Sequence, residues 1–219
     1  MSGIKSFYIG TGLTRRQTLG LAGALAISPA FPSFASNEIG KVLDAKGEVM
    51  RTQNDVEAAI RSGAPLANND LVATGAKSFA SMTLGSDTKI IMGENTEVLL
   101  DSFLAEQGGL LELVSGDMVF DRPEGTPKID LTIRTTFGQI GVRGTKFFTG
   151  TSRGNLAVFV EHGLVEVKSG QTLRKVGAGE GVDIASDAKT RSLFGGDMSE
   201  TKKWGKGRIE EAYKAVGLM

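Results

Sequence analysis

Between Ile39 and about Ile184 this chain alternates polar and apolar residues in short runs, and Gly, Asp, Asn or Ser cuts each run off. In Ser78-Phe79-Ala80-Ser81-Met82-Thr83-Leu84 the residues Ala80, Met82 and Leu84 share one face, and Ile129-Asp130-Leu131-Thr132-Ile133-Arg134 alternates more strictly. Period two belongs to a strand with one wet face. Gly85-Ser86-Asp87, Gly93-Glu94-Asn95 and Ser169-Gly170 supply tight turns. Turn signals roughly every eight to twelve residues are the spacing of all-β domains. Thirty glycines in 219 residues, roughly twice ordinary usage, fit many short turns better than long helices.

Leu156-Ala157-Val158-Phe159-Val160 is apolar on both faces, which predicts a central strand buried between two layers. A unit of Gly followed closely by β-branched residues recurs as Gly47-Glu48-Val49, Gly116-Asp117-Met118-Val119 and Gly163-Leu164-Val165-Glu166-Val167. Its irregular period is not a strict repeat. The expected fold is therefore all-β: stacked short hairpins forming a two-sheet or solenoid-like body, with one C-terminal α-helix and no domain boundary inside 38–185.

The helix is read from residues 186–219, which hold seven basic and five acidic residues. Gly195-Gly196 reads as a linker, and Asp197 with Glu200 as a helix start. Ile209, Ala212, Tyr213 and Val216 make an amphipathic stripe that ends at Gly217, while Gly205 and Gly207 break helical structure near Trp204. Two roles are open. The helix caps an open end of the β body, or it enters a partner's groove through Trp204, Tyr213 and Ile209.

The first 35 residues carry Lys5, Arg15 and Arg16 and no acid. The Arg pair stands directly before an apolar run, Leu19 to Ile27, that is too short to cross a bilayer, and Ser33-Phe34-Ala35 has the small residues of a cleavage site. This order predicts a secretory signal of twin-arginine type, cleaved near Ala35. The expected organisation is a signal peptide at 1–35, a β domain at 36–185, and a linker with an amphipathic helix at 186–219. The mature chain would be periplasmic and without a membrane span.

Composition narrows the chemistry. With no Cys and a single His, His162, the usual zinc, haem and iron–sulfur ligand sets cannot be assembled, and neither a thiol nor a Ser-His-Asp centre is expected. The chain is neutral overall, with 25 basic and 25 acidic residues; without the three signal cations the remainder carries −3. Such a surface exerts little pull on nucleic acid. Asp117, Asp121, Glu124 and Glu161 could supply a carboxylate pair, but their spacing puts no two in one cleft. We expect no catalytic residues, no metal and no cofactor.

Two stretches go further. Asn69-Asp70-Leu71-Val72-Ala73-Thr74-Gly75 runs through Leu84 to Ile90, and Ile133-Arg134-Thr135 runs through Gly141-Val142-Arg143-Gly144-Thr145-Lys146-Phe147 into Val158-Phe159-Val160-Glu161-His162-Gly163 and Ala178-Gly179-Glu180. Over roughly residues 40–185 this order resembles the FecR-type periplasmic domain of regulators of iron-transport signalling. Full-length members resemble a sigma-binding cytoplasmic segment, a membrane helix and this domain. The resemblance here implies an exported module without the first two. Read as residues alone, Gly144 permits a bulge and Arg143 beside it forks onto a carboxylate or backbone carbonyls. Asp70 and Asp117 cap turns, Gly163 closes a hairpin, and Gly116 and Thr145 belong to the same structural motif set.

These expectations converge on a non-enzymatic module that binds a protein of the cell envelope, in sensing or signalling. The partner's identity and the oligomeric state are not written in the sequence. The alternative is a periplasmic glycan- or small-ligand-binding module.

Overall fold

The computed structural model describes residues 38–185 and 197–218. The expected signal peptide, its cleavage near Ala35 and the Gly195-Gly196 linker lie outside the described residues.

The chain builds two sheets by crossing between them repeatedly. Strand β1 (Glu38–Lys46) starts the first sheet, and β2 (Val49–Gln53) with β3 (Val56–Ala59) form a hairpin in the second. Then β4 (Pro65–Ala67) returns to the first sheet, β5 (Asp70–Thr74) joins the second, and β6 (Phe79–Leu84) with β7 (Thr88–Met92) make a hairpin in the first. Strands β8 (Glu97–Leu104) and β9 (Gly108–Ser115) pair in the second sheet and β10 (Met118–Asp121) in the first. The pattern continues with β11 (Asp130–Thr135) and β12 (Gly138–Val142) in the second sheet, and β13 (Lys146–Ser152) and β14 (Asn155–His162) in the first. It ends with β15 (Leu164–Ser169) and β16 (Thr172–Gly177) in the second sheet, β17 (Glu180–Ile184) and β18 (Lys202–Lys203) in the first, and helix α1 (Lys206–Ala215).

Each sheet has nine strands, ordered β18-β17-β14-β13-β10-β7-β6-β1-β4 and β16-β15-β12-β11-β9-β8-β5-β2-β3, and neither closes into a barrel. Both orders follow the chain from one end of the body to the other, so the architecture is a two-sheet sandwich built by solenoid-like progression. Pairing is antiparallel except between β9 and β11. The alternation works as expected: β6 buries Ala80, Met82 and Leu84, and β11 buries Leu131 and Ile133. Between the sheets lies one continuous core in which Phe120 and Phe147 stack with centroids 5.5 Å apart.

The recurring glycine unit proves to be a sheet-changing corner. Gly47 (φ +81°), Gly116 (φ +85°) and Gly163 (φ +86°) each stand where the chain leaves one sheet for the other. Gly163 therefore does not close a hairpin: β14 and β15 lie in different sheets. Each corner meets a hydroxyl residue from a second crossing loop. The Glu48 N–H donates to Ser78 Oγ at 2.9 Å, and the Asp117 N–H donates to Thr96 Oγ1 at 3.0 Å. At the third corner a Cβ on Gly163 would lie 2.6 Å from Thr145 Cγ2, so a methyl group fills the place and the buried Thr145 Oγ1 has no hydrogen-bond partner among the described residues. A positive-φ residue precedes each hydroxyl residue: Lys77, Asn95 and Gly144.

The C-terminal segment departs from expectation at its start. Residues 197–203 are extended rather than helical: Met198 bridges Ile184, and β18 adds to the edge of the first sheet. Helix α1 begins only after Gly205, its N-cap, and Gly207 lies within its first turn rather than breaking it. It covers no open end of the sandwich. It lies across the outer face of the first sheet, where Ala212, Tyr213 and Val216 cluster with Ile91, Val119, Phe148 and Phe159. Strand β14 is thereby buried on both faces: Val158 and Val160 face the inner core and Phe159 the helix layer. No helix of the described residues is long and apolar enough to cross a membrane.

Candidate interaction surface

The three residues named for partner docking face the sheet. Trp204 stacks on Phe159 with centroids 5.0 Å apart, and the Arg208 guanidinium lies 3.8 Å from the indole centroid. Gly181 makes room for this ring, since a Cβ there would come within 2.6 Å of Trp204 Cε2. Ile209 packs against the same cluster, and Tyr213 is buried in it.

Two polar anchors hold this layer down. Arg208 donates to both carboxylate oxygens of Asp183, and its Nε donates to Ser152 Oγ at 3.1 Å. At the other end of the helix the Tyr213 hydroxyl donates to Glu161, which also pairs with Lys146 Nζ at 3.1 Å. Burial pushes the Glu161 carboxyl up, but the Tyr213 hydroxyl and the Lys146 and His162 charges together hold it below its ordinary value. Burial and the facing carboxylate raise the Tyr213 hydroxyl well above its own.

The motif residues are spread through the frame. Asp70, fully buried, accepts the N–H of Ala67, three residues before it, at 2.8 Å, and burial pushes its carboxyl up. Asp117 differs from expectation. Its carboxylate accepts the Thr151 N–H at 2.5 Å, across the sheet rather than within its own turn, and burial raises it too. Arg143 is the clearest correction. It is exposed and its side chain makes no hydrogen bond or ion pair among the described residues, and Gly144 (φ +74°) stands in the crossing loop between β12 and β13 rather than in a bulge. Gly116, Gly144, Thr145 and Gly163 serve the corners described above.

Of the carboxylates weighed for catalysis, Asp121 and Glu161 meet on one lysine, against the expectation that no two share a place, and Asp117 stands apart. Asp117 lies at one end of the first sheet, whereas Asp121 and Glu161 flank Lys146 at the other, 3.9 and 3.1 Å from its Nζ. Glu124 stands 3.8 Å from His162 Nδ1 on an exposed loop. Among the described residues no group of three or more Asp, Glu, His or Cys is placed to hold a metal ion.

A feature that composition did not reveal lies beside β18. A trough of about 390 Å³ opens there, floored by Gly181 and Trp204 and walled by Arg153, Lys202, Lys203 and Glu211. Two further charges in its lining are already committed, Asp183 to Arg208 and Glu200 to Arg174 at 2.5 Å. The side chains of Arg153, Lys202, Lys203 and Glu211 have no hydrogen-bonding or ionic partner among the described residues, leaving three cations against one carboxylate. The run Lys202-Lys203-Trp204-Gly205-Lys206-Gly207-Arg208 was a visible signal, four cations in seven residues without an acid.

Residues 70–166 match the family described as FecR protein. No curated protein matches the chain. Among solved structures, two crystal structures of a candidate anti-sigma factor from Parabacteroides distasonis are similar, with a TM-score of 0.51 and 17% identity. The match covers 64% of this chain and 62% of that one, so the chain matches less than two thirds of its neighbour's length. At that identity the likeness is one of fold.

Proposed function

With a FecR domain at residues 70–166 as the premise, we propose that this chain is an exported, non-enzymatic module that binds an envelope protein in sensing or signalling. The observation that carries this reading is the trough beside β18. Among the described residues it borders a sheet edge with no neighbouring strand, and the side chains of three of its wall cations have no partner. Such a site is suited to holding another molecule. The paired carboxylates that bond-breaking would use are instead bound to Lys146, Tyr213 and the backbone. The family match and the fold of the anti-sigma-like neighbour agree with a regulatory role. A glycan site would want an open aromatic face, and Trp204 is already committed to Phe159 and Arg208.

Export is tested first, by fractionating cells that express the tagged full chain. Arg15→Lys with Arg16→Lys should hold the protein in the cytoplasm, and indifference to that change would remove the twin-arginine route. Crosslinked capture from the envelope then tests the role. Recovery of one stoichiometric envelope protein supports it, and recovery of polysaccharide alone sinks it.

A further inference from the structure

The first sheet ends at β18, whose outer edge has no strand against it among the described residues. Lys202 and Lys203 form that edge, and Arg153 reaches the trough from the tip of the β13–β14 hairpin. Lysines on an open edge repel a neutral or basic strand. The same lysines select an acidic one, whose backbone can satisfy the free edge groups while its carboxylates meet the unpaired cations. Adjacent residues of a strand point to opposite faces, so Lys202 and Lys203 present charge on both sides of the edge.

Nucleic acid and anionic lipid also carry negative charge, but neither supplies alternating N–H and C=O groups to a strand edge. Base stacking would need a free aromatic face, and Trp204 offers none. Glu211 on the wall further lowers the attraction for a uniformly anionic polymer.

We propose that this trough receives an acidic, extended segment of a partner protein, which adds as a further strand along β18. The assignment rests on the protein-binding reading above and names where the partner docks and what its chemistry is. The partner segment carries adjacent carboxylates that answer the two lysines, flanked by residues of strand propensity.

The test uses the full chain as exported and a fluorescently labelled ten-residue peptide with two adjacent glutamates flanked by Thr and Val. Binding is read by anisotropy and by the emission of Trp204, the chain's single tryptophan. The Glu→Gln peptide should bind at least tenfold more weakly, and so should a peptide N-methylated at alternate backbone positions. Raising the salt should weaken binding steeply. Arg153→Gln with Lys202→Gln and Lys203→Gln should abolish binding at unchanged Tm, since none of the three side chains has a partner among the described residues. Lys202→Glu with Lys203→Glu should transfer the preference to a peptide with two adjacent lysines, which a purely structural role would not do. Equal binding of the N-methylated peptide overturns strand addition. Binding of a dT10 oligonucleotide or of phosphatidylglycerol vesicles as tight as that of the acidic peptide overturns the partner class. Envelope capture separates the two levels: if the triple variant retains the wild-type partner, the trough is not the site although the protein-binding role stands, and if the wild-type chain retains no protein, the role itself fails.

Discussion

The body between the sheets and the layer under α1 are both apolar, yet they are held in different ways. The inner core is joined by aliphatic and phenylalanine side chains at every second position, and its corners close through backbone groups, as Glu48 does on Ser78 and Asp117 on Thr96. The outer layer is small and aromatic, and two polar anchors tie it down at its ends, Arg208 on Asp183 and Tyr213 on Glu161. A core made by pattern tolerates the loss of no large member, because many strands share it. A layer made by a few side-chain pairs can be released alone. The two regions should therefore come apart in sequence, the outer layer before the inner core.

The largest effect is expected inside. Phe147 is fully buried and stacked on Phe120, so Phe147→Ala should cost about 3–5 kcal/mol and bring down both layers in one transition. Chemical denaturation followed by far-UV circular dichroism and by Trp204 emission checks this. Two separated transitions in that variant would mean the outer layer stands without the inner one, and the proposed dependence would be reversed.

Tyr213→Phe attacks the outer layer. It removes the hydroxyl donor of the partly exposed Glu161 carboxylate, which keeps Lys146, at a cost of about 0.5–1.5 kcal/mol. Trp204 emission should report this loss while the β signal holds. Acid should reach the same point in the wild-type chain. Because the folded Glu161 carboxyl titrates below its unfolded value, its contribution is complete above the ordinary carboxylate pKa, about 4.3, and is lost as the pH falls through the folded value. Asp70 and Asp117 run the other way. Their folded values are raised, so the corners they hold gain stability as the pH falls from neutral toward about 4. Below about pH 4.3 the Trp204 signal should move first, and in Tyr213→Phe that acid step should shrink. A β signal that fell before the tryptophan signal would contradict this separation.

How much of this was legible follows from the same contrast. The strands of the inner core announce themselves by period two, and residues such as Ala80, Met82 and Leu84 could be placed on the buried face from sequence. The stripe of Ile209, Ala212, Tyr213 and Val216 was equally plain, but not the surface it would meet, because the outer face of β14 reads as apolar whether a sheet or a helix covers it. The glycine unit at positions 47, 116 and 163 was visible as well. Its meaning depends on Ser78, Thr96 and Thr145, which lie 18 to 31 residues away in sequence and meet the glycines only after the sheets form. Asp117 was misplaced for the same reason, since its acceptor role joins it to Thr151, 34 residues on. The trough was missed because Asp197 and Glu200 imitate a helix start, and pairing with β17 outweighed that signal.

The smallest effect separates charge from backbone at a single corner. Arg143 carries the strongest-looking side chain of the β12–β13 crossing, and sequence reasoning gave it a forked bond that holds the fold. It is exposed and unpaired among the described residues, so Arg143→Ala should move Tm by no more than about 2 °C. Its neighbour should matter more. Gly144 sits at φ +74°, with the space for a Cβ open apart from Lys128 Cγ at 3.9 Å, so Gly144→Ala meets a backbone penalty of about 1–2 kcal/mol and almost no clash. Scanning calorimetry of the two variants decides the order. If Arg143→Ala proves the more damaging, the side chain has a partner in solution, and the corner is held by charge as the outer layer is. If Gly144→Ala does, the corner belongs with the inner core, where the shape of the backbone is what joins the two sheets.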